Sequence, residues 1–553
     1  MLGGFDRHQE SRKQGGYERQ VRPASRYHSI VKTFPECLLK TLPVLSAACR
    51  ALVVVAVIAC LVRPNQLAHA APNLNDDSRL PSLGDSERES LSPLTERKLG
   101  EHIMREIRHN PDYLDDAPTL EYLNDFGNQL LAARPEARGE AGYDFFFFAV
   151  RDPMLNAFAL PGGFIAVHSA LLLAAQTESE LASVVAHEIG HVAQRHIARM
   201  LGQHKQDMLI PLAGAILAVL AARSNSDASA ALLVGSQGVV LQRQLNFSRD
   251  AEREADRIGL QILRDAGFET AGMVTFFGRM QNASSGYSDF LPAYLRSHPL
   301  TTERIADIEA RIRDLRYRQH ADNVDFQLIR ARMRVLQDDT SQGWRDASEI
   351  FAAQLLQKTR TQTVAGKYGL ALVALRRNDP VKALLLLQEA RIALGTGAPR
   401  NGGNSSVLDY LGIDLLLASG KYAEAVSLAD AARSRFPLSR GLARRYADVL
   451  LAAGRTNEAV EYLRDQAQLY REDPHLQNQL AKAYSVQGKR VLQHLALAES
   501  YALNGSLQAA MDQLRIARTA PDATFYDQAL VDARERDLEA RWKEELANSK
   551  REK

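Results

Sequence analysis

The spacing of apolar and polar positions predicts a mixed α+β region in the first half of the chain. Apolar residues recur with helical periodicity over roughly 94–108 and 117–133. The run Tyr143–Val150, with its consecutive phenylalanines, is typical of a buried strand. Two more short strands are predicted at Asn156–Leu160 and Phe164–Val167, separated by a Pro-Gly-Gly turn. Together these elements predict a small sheet packed against helices.

Beyond residue 340 the apolar pattern becomes that of paired helices with a fixed repeat. Gly420, Gly454 and Gly488 each end a helical pattern and stand 34 residues apart, a spacing typical of tetratricopeptide repeats. Asn378, ahead of a proline, marks an earlier turn of the same kind. Gly505 comes only 17 residues after Gly488, so we expect the last repeats to be irregular. This pattern predicts an all-α solenoid with a concave binding face.

The first 70 residues have the composition of an export signal. They hold ten Lys/Arg and four Asp/Glu, together with the apolar run 51–62. That run is shorter than the ~20 residues that a membrane-spanning helix needs. Ala68-His69-Ala70 is the kind of site that signal peptidases cut, so we expect cleavage after Ala70. Three alternatives stay open: a later start codon, retention of the segment as an anchor, and lipid attachment at Cys60.

Charge and cysteine content narrow the classes of function. The whole chain has a formal net charge of +2, and the basic surplus lies in the first 70 residues. The remainder is slightly acidic, which gives no reason to expect a nucleic-acid partner. Cys37, Cys49 and Cys60 all lie within the export segment. The mature chain would therefore have no disulfide, no thiolate metal ligand and no cysteine nucleophile.

The first candidate for chemistry is the segment His187-Glu188-Ile189-Gly190-His191, within a helix predicted to begin after Thr177. Thr177-Glu178-Ser179-Glu180 fits a capping box. Residues four positions apart share one helix face, so His187 and His191 can reach one metal ion. Glu188 would lie beside that ion, where it can take a proton from water. The pattern also arises by chance, as two surface histidines near a paired glutamate, so a third ligand has to decide.

The candidate third ligand lies in the acidic segment 250–256. The chain has Ile197 where the metzincin extension requires a histidine, so that class is excluded. Glu252 and Asp256 share one helix face, and we predict Glu252 as a zinc ligand with Asp256 hydrogen-bonded to a ligand histidine. Glu254 points away from that face and is expected to be a solvated charge. The alternative is an ordinary charged helix face with no ligand.

With these residues the chain resembles the gluzincin family that includes the CAAX prenyl proteases and the bacterial heat-shock protease HtpX. The resemblance covers most of residues 92–540, with specific catalytic motifs and a broadly similar repeat region. It implies an α+β zincin-type (gluzincin) metalloprotease domain followed by an all-α tetratricopeptide solenoid. The motifs that carry it are His187–His191, Glu252-x-x-Ala-Asp256, Asn156–Gly163 and Ser297-His298-Pro299 with Glu303-Arg304.

The resemblance implies roles that the spacing alone does not. In that family the glutamate matching Glu252 is the third zinc ligand, and the aspartate matching Asp256 is often assigned as a proton donor. The histidine matching His298 either steadies the oxyanion or caps the metal at rest. By itself, His298 before a proline would be an ordinary loop histidine. An extended substrate would add to the edge strand that carries Asn156, Ala157, Phe158 and Ala159.

These features together predict a zinc-dependent endopeptidase of the bacterial periplasm that holds one Zn²⁺ per chain. The resemblance implies misfolded or misassembled outer-membrane proteins as polypeptide substrates. It also implies the outer-membrane β-barrel assembly machinery as a partner of the repeats. The alternative is an adaptor or chaperone for β-barrel assembly with latent proteolysis.

The predicted elements divide the chain into five segments. The apolar stretch 208–222 would be either a buried helix or a mobile flap that contacts the active site or a membrane surface. The chain is expected to fray from Asp532 onward. The predicted segments are a signal peptide (1–70), a linker (71–93), a zinc metalloprotease domain (94–325), a tetratricopeptide domain (340–540) and a charged tail (541–553).

Overall fold

The sheet of the first region has three strands in the order β1-β3-β2. They are β1 (Phe146–Val150), β2 (Ala157–Leu160) and β3 (Phe164–His168), as the apolar runs predict. β1 pairs in parallel with β3, and β2 pairs antiparallel with β3. Gly162 and Gly163 between β2 and β3 have φ of 77° and 93°, a left-handed region that glycine enters at low cost. Because β3 lies in the middle of the strand order, β2 is an edge strand of this sheet.

This fold comes from a computed structural model, which describes only part of the chain. The predicted signal peptide, nearly all of the predicted linker and the apolar stretch 208–222 lie outside the described residues. No helix in the described ranges combines the length and the apolar character needed to cross a bilayer. The described ranges are 91–139, 141–202, 248–285, 293–395 and 404–551.

Helices pack around this sheet and contribute many of the buried side chains of the first region's core. Every residue of α4 from Glu178 to Val192 is buried, so this helix is enclosed on all sides. The helices of this region are α1 (Pro93–His109), α2 (Ala117–Ala133), α3 (Ser169–Ala174), α4 (Glu178–Ala193), α5 (His196–Gly202), α6 (Arg249–Ala266), α7 (Ala271–Ser285), α8 (Ala293–Ser297) and α9 (Thr302–Arg313).

The predicted capping box sets the start of α4, with one difference in its second hydrogen bond. The Thr177 side chain accepts a hydrogen bond from the backbone N–H of Glu180, as the pattern predicts. The Glu180 carboxylate accepts from the N–H of Gln176, one residue before the expected partner. It also pairs with Arg279 of α7, which draws the carboxylate towards that helix. Helix α4 therefore begins where the sequence indicates.

The second region is a run of helices joined by short turns. Gly420, Gly454 and Gly488 have φ of 69°, 75° and 72°, and Asn378 has φ of 59°. These residues lie just after a helix, where a left-handed residue closes the last turn. The predicted 34-residue spacing of turns is thus confirmed. The helices are α10 (Val324–Leu336), α11 (Ser341–Leu356), α12 (Arg360–Arg376), α13 (Pro380–Gly395), α14 (Ser406–Ala418), α15 (Tyr422–Arg435), α16 (Arg440–Ala452), α17 (Thr456–Leu469), α18 (Pro474–Val486), α19 (Arg490–Leu503), α20 (Leu507–Arg518) and α21 (Phe525–Arg551).

The hydrophobic core is continuous between the two regions. One cluster of buried side chains extends from Leu114, ahead of α2, to Leu415 in α14. Tyr122 of α2 packs against Phe326 of α10, with ring centroids 6.5 Å apart. The domain boundary between 325 and 340 stays a prediction, because this core crosses it.

The expectation that the chain frays from Asp532 was wrong. Helix α21 continues through Arg551, and its Leu538 side chain is fully buried. Arg534 donates to Glu499 of α19, which attaches the charged face of α21 to the preceding helix. The composition of this segment is highly charged, but its few apolar residues pack against the last repeat.

Candidate metal centre

Four side chains from three parts of the first region converge at one buried point. His187 and His191 come from α4, Glu252 from the first turn of α6, and His298 follows α8. One potential ligand atom of each lies within 4.8 Å of the others, and all four side chains are buried. The two Nε2 atoms of His187 and His191 are 3.0 Å apart, and His187 Nε2 is 3.5 Å from Glu252 Oε2. The structure thus brings together the residues predicted as ligands.

Two glycines allow the helices that carry these residues to approach closely. A Cβ atom on Gly190 of α4 would lie 2.9 Å from the Ala255 carbonyl oxygen of α6. A Cβ atom on Gly259 of α6 would lie 3.1 Å from the His187 amide nitrogen. Side chains at either position would push α4 and α6 apart. The distance between the histidines and Glu252 therefore depends on these glycines, whose packing role is not visible in the sequence pattern.

The donor set fits a zinc ion. Imidazole nitrogens and a carboxylate oxygen are ligands that zinc accepts, and four donors match its usual tetrahedral coordination. The site is also rich in carboxylates, which favours a cation. Burial alone lowers the pKa of His187, but hydrogen bonds to Asp256 and Glu252 outweigh it and raise the pKa to about 9.

Asp256 and Arg304 lie directly behind the ligands. Asp256 Oδ1 is 2.9 Å from His187 Nδ1, which leaves His187 Nε2 facing the cluster. Arg304 donates to both Asp256 oxygens, from Nε at 2.7 Å and from Nη2 at 2.8 Å. Its Nη1 is 2.6 Å from Glu252 Oε2. Burial opposes ionisation, but His187 and Arg304 hold the pKa of Asp256 below its usual value.

Glu188 is fully buried beside the cluster. Its Oε1 is 3.6 Å from His298 Nε2. Burial raises the pKa of Glu188, while the nearby His298 and His187 act in the opposite direction. A carboxylate with a raised pKa is suited to accept a proton.

The edge strand β2 runs past Glu188 with backbone groups facing outward. The Asn156 carbonyl accepts from the His168 N–H, so Asn156 directs its backbone carbonyl towards β3. In an antiparallel pair, residues alternate between the two sides of the strand. Ala157 and Ala159 therefore direct their N–H and C=O groups to the open edge, next to Glu188. The side chain of Phe158 instead packs against the His168 ring.

Comparisons with known proteins agree with this geometry. The model of peptidase family M48 matches residues 123–312, and a tetratricopeptide repeat model matches residues 416–483. The chain is 30% identical to the beta-barrel assembly-enhancing protease of Escherichia coli K12, over 86% of this chain and 95% of the relative. The Yersinia pestis protein of the same name is 32% identical, over 82% of this chain and 90% of the relative.

The chain belongs to the beta-barrel assembly-enhancing proteases of peptidase family M48. It is thus a metalloendopeptidase with a candidate zinc site at His187, His191, Glu252 and His298. The expected fold is confirmed as well, with an M48 zincin-like domain followed by tetratricopeptide helices. The mitochondrial metalloendopeptidase OMA1 of Schizosaccharomyces pombe is 34% identical to this chain, over 29% of this chain and 44% of the relative.

The structure of this M48 peptidase corrects the expectation for Glu254. Its carboxylate is not a solvated charge, since it lies 3.1 Å from His196 Nε2 and 3.0 Å from Arg199 Nη2. His196 Nδ1 in turn is 2.9 Å from His191 Nδ1. Helical periodicity places Glu254 away from Glu252, and only the position of α5 brings it a partner.

Sequence reasoning also missed the role of two other residues in this M48 site. Arg304 belongs to a recognised motif, but nothing in its spacing indicated its pairing with Asp256. Tyr294 stacks on His298, with ring centroids 4.7 Å apart and an interplanar angle of 25°. Its hydroxyl is buried and has no hydrogen-bond partner among the described residues. A tyrosine four residues before the motif histidine was the only available signal, since both lie on one helical turn.

Proposed function

We propose that this metalloendopeptidase holds one zinc ion through His187, His191 and Glu252 and uses Glu188 as its catalytic base. The observation that carries the proposal is the convergence of four buried ligand atoms within 4.8 Å of one another, with the Glu188 carboxylate beside them. A zinc ion held there would polarise the scissile carbonyl and acidify a water molecule. Glu188 would take a proton from that water and pass it to the leaving amine.

In this proposal Asp256 orients a ligand and does not deliver a proton. Both of its oxygens are engaged, by His187 and by the two donors of Arg304. Its lowered pKa keeps it ionised, which suits a hydrogen-bond acceptor and not a proton donor. The family's proton-donor assignment is therefore the less favoured of the two expected roles.

The open edge of β2 is the proposed binding site for an extended polypeptide. Ala157 and Ala159 offer backbone donors and acceptors there, and an added strand would run directly past Glu188. Recognition through backbone groups would accept many sequences, which suits an endopeptidase acting on unfolded chains. In an added strand only every second residue directs its N–H group to β2. N-methylation of those residues should abolish binding of a peptide, whereas N-methylation of the intervening residues should preserve it.

We propose that His298 caps the zinc at rest. Its Nδ1 lies 3.4 Å from His187 Nε2 and 3.0 Å from Glu252 Oε1, so it occupies the space of a fourth ligand. Three protein ligands leave a position open for water, whereas four close it. His298→Ala should then cleave an unfolded polypeptide faster than the wild type. A slower rate with unchanged zinc content would favour the alternative role, in which His298 steadies the oxyanion.

The direct test of the catalytic assignment is Glu188→Gln. This variant keeps the size of the side chain and removes the base, so it should retain zinc while losing nearly all proteolysis of an unfolded substrate. Glu303→Gln is a matched control, because Glu303 is an exposed glutamate in the same region. Full activity of Glu188→Gln would refute the assignment.

At the cellular level we propose that the enzyme acts in the periplasm on misfolded or misassembled envelope proteins. The relatives' name, beta-barrel assembly-enhancing protease, and the repeat region support this proposal. The β-barrel assembly machinery and its clients would bind the repeats. Export by a signal cleaved after Ala70 and contact of 208–222 with a membrane surface stay predictions.

The second candidate function is an adaptor or chaperone whose proteolysis is latent. The position of His298 among the ligands favours it, since a capped site would be inactive until the cap moves. Cells that carry Glu188→Gln separate the two candidates. Normal outer-membrane protein assembly in these cells would support a proteolysis-independent role, and complete loss would exclude one.

A further inference from the structure

We propose that His196 and Glu254 position the ligand His191, through a hydrogen-bonded relay that ends on α6. The three groups form a chain: Glu254 Oε2 lies 3.1 Å from His196 Nε2, and His196 Nδ1 lies 2.9 Å from His191 Nδ1. His191 and His196 are both buried, and their rings meet edge to face with centroids 4.9 Å apart. The inference rests on the proposed zinc site.

A break in the helix makes this contact geometrically attainable. Successive residues of an α-helix are separated by about 100°, so a residue five positions on would lie about 140° away from His191. The helix α4 ends at Ala193, and Arg195 has a left-handed φ of 50° before α5 begins at His196. The chain thereby turns back and brings the imidazole of His196 over the outer side of His191.

The left-handed residue is itself held in place. Arg195 Nε is 3.1 Å from Glu96 Oε2, and another of its guanidinium nitrogens donates to the Leu91 carbonyl. Tyr143 donates to the same Glu96 oxygen at 2.5 Å. A non-glycine residue in this conformation is unfavourable and persists where its surroundings impose it. Three parts of the fold therefore hold the turn that presents His196.

The Glu254 carboxylate sets the direction of the hydrogen bonds in the relay. An ionised carboxylate only accepts, so Glu254 requires a proton on His196 Nε2. A neutral imidazole then accepts at its other nitrogen, and His196 Nδ1 takes a hydrogen bond from His191 Nδ1–H. His191 Nε2 is left without a proton and faces His187 and Glu252. The relay thus selects the tautomer of His191 that can bind a metal ion.

The two ligand histidines are supported in different ways by the same helix. His187 meets a carboxylate directly, that of Asp256, whereas His191 reaches one through His196. Asp256 is 3% exposed, and the Glu254 side chain is 29% exposed. Water can partly replace Glu254, so we expect removal of His196 to have the larger effect.

The test compares zinc affinity among His196 variants, by competition with a chromophoric chelator on the purified full chain. His196→Phe keeps the ring and removes both nitrogens, and should weaken zinc binding roughly 10–100-fold. His196→Gln can offer an amide oxygen to His191 and should restore part of that loss. The cobalt(II)-substituted His196→Phe variant should also show a shifted visible absorption band.

Glu254→Ala completes the test, with Asp250→Ala as its control on an exposed residue of the same helix. Glu254→Ala should lose zinc affinity by less than His196→Phe, and the double variant should match His196→Phe alone, because both changes break one relay. Wild-type affinity in His196→Phe, or equal losses in the Phe and Gln variants, would overturn the relay alone. A wild type that binds no zinc would overturn the proposed function and the relay together.

Discussion

The metal-site region and the repeat region both depend on glycine, but for opposite physical reasons. Gly190 has ordinary helical backbone, yet a Cβ atom there would lie 2.9 Å from the Ala255 carbonyl oxygen. Gly454 has open space where its Cβ atom would lie, yet its φ is 75°. Gly190 is constrained by a helix whose contact residue lies 65 positions further along the chain. Gly454 is constrained by its own backbone conformation. These two glycines therefore represent a long-range constraint and a local constraint.

The two regions also differ in what they bury. The metal-site region concentrates charged and titratable side chains at one point, whereas the repeat clusters are built mainly from Ala, Leu and Val. A buried charge that loses its partner destabilises the fold, because nothing then compensates the free-energy cost of removing that charge from water. Changes near the metal should thus have large and connected effects, and changes in the repeats should have small and local ones. The buried charged or titratable residues at the metal site include His187, Glu188, His191, His196, Glu252, Asp256, His298 and Arg304.

The largest effect is expected for Arg304→Ala. This change leaves Glu252 and Asp256 without the cation that lies between them, so the zinc-free protein should lose roughly 3–5 kcal/mol of unfolding free energy. Chemical denaturation measures the loss. Arg253→Ala, which removes an arginine that also pairs with a carboxylate but is half exposed, should change stability by less than about 0.5 kcal/mol. Similar values for the two variants would mean that the buried network contributes little.

A pair that joins the two regions should show a distinct pH dependence. Asp116 caps α2 and accepts from Arg332 of α10. Burial alone raises its pKa, but the Arg332 guanidinium outweighs this and holds the pKa of Asp116 below its usual value. The stabilisation is therefore fully present above the ordinary carboxyl pKa of about 4 and is lost as pH falls through the lowered value.

Asp116→Asn isolates this effect, because asparagine preserves the helix cap and removes the charge. The variant should be less stable than the wild type by roughly 1.5–3 kcal/mol at pH 7, the range for hydrogen bonds to charged groups. Unfolding free energies measured down to pH 3 should converge as the wild-type Asp116 gains a proton. A constant difference across this range would show that charge is not what joins α2 to α10.

The close approach of α4 and α6 can be tested with Gly190→Ala. The added methyl group meets backbone, which cannot rotate away, so we expect a loss of about 1–3 kcal/mol and weaker zinc binding. Gly278→Ala is the matched control, since a Cβ atom at this helical position meets nothing within 4 Å. It should be neutral or slightly stabilising. Equal stability and equal zinc affinity of the two variants would contradict the view that contact between α4 and α6 constrains Gly190.

The smallest effect is expected in the repeats, for Gly454→Ala. Alanine has room there but resists the left-handed φ, which costs about 1–2 kcal/mol. Gly454→Asn should recover part of this, because asparagine tolerates that conformation. Zinc affinity should equal that of the wild type in both variants. A change in zinc affinity would contradict the view that constraints in the repeats stay local.

The same contrast explains what could be predicted from sequence. The strands, the start of α4 and the turns at Gly420, Gly454 and Gly488 follow from patterns within a few residues, and the structure has them. The histidine pair of α4 was also visible, because its spacing is a property of one helix. Glu252 was identified by its own helix face together with the family resemblance.

The parts that were missed depend on contacts between distant segments. Glu254 was expected in solvent because α6 alone directs it away from Glu252, and the left-handed turn at Arg195 that brings His196 to it has no sequence signature. Arg304 reaches Asp256 across 48 positions. Single-sequence periodicity describes one element at a time, so it does not show which elements meet.

The coordination of zinc in the resting protein tests the central claim most directly. X-ray absorption at the zinc edge should show four nitrogen or oxygen ligands at about 2.0–2.1 Å, with scattering from three imidazole rings. In His298→Ala the imidazole count should fall to two while zinc stays bound by His187, His191 and Glu252. A wild-type protein without bound zinc, or an imidazole count that His298→Ala leaves unchanged, would contradict the account.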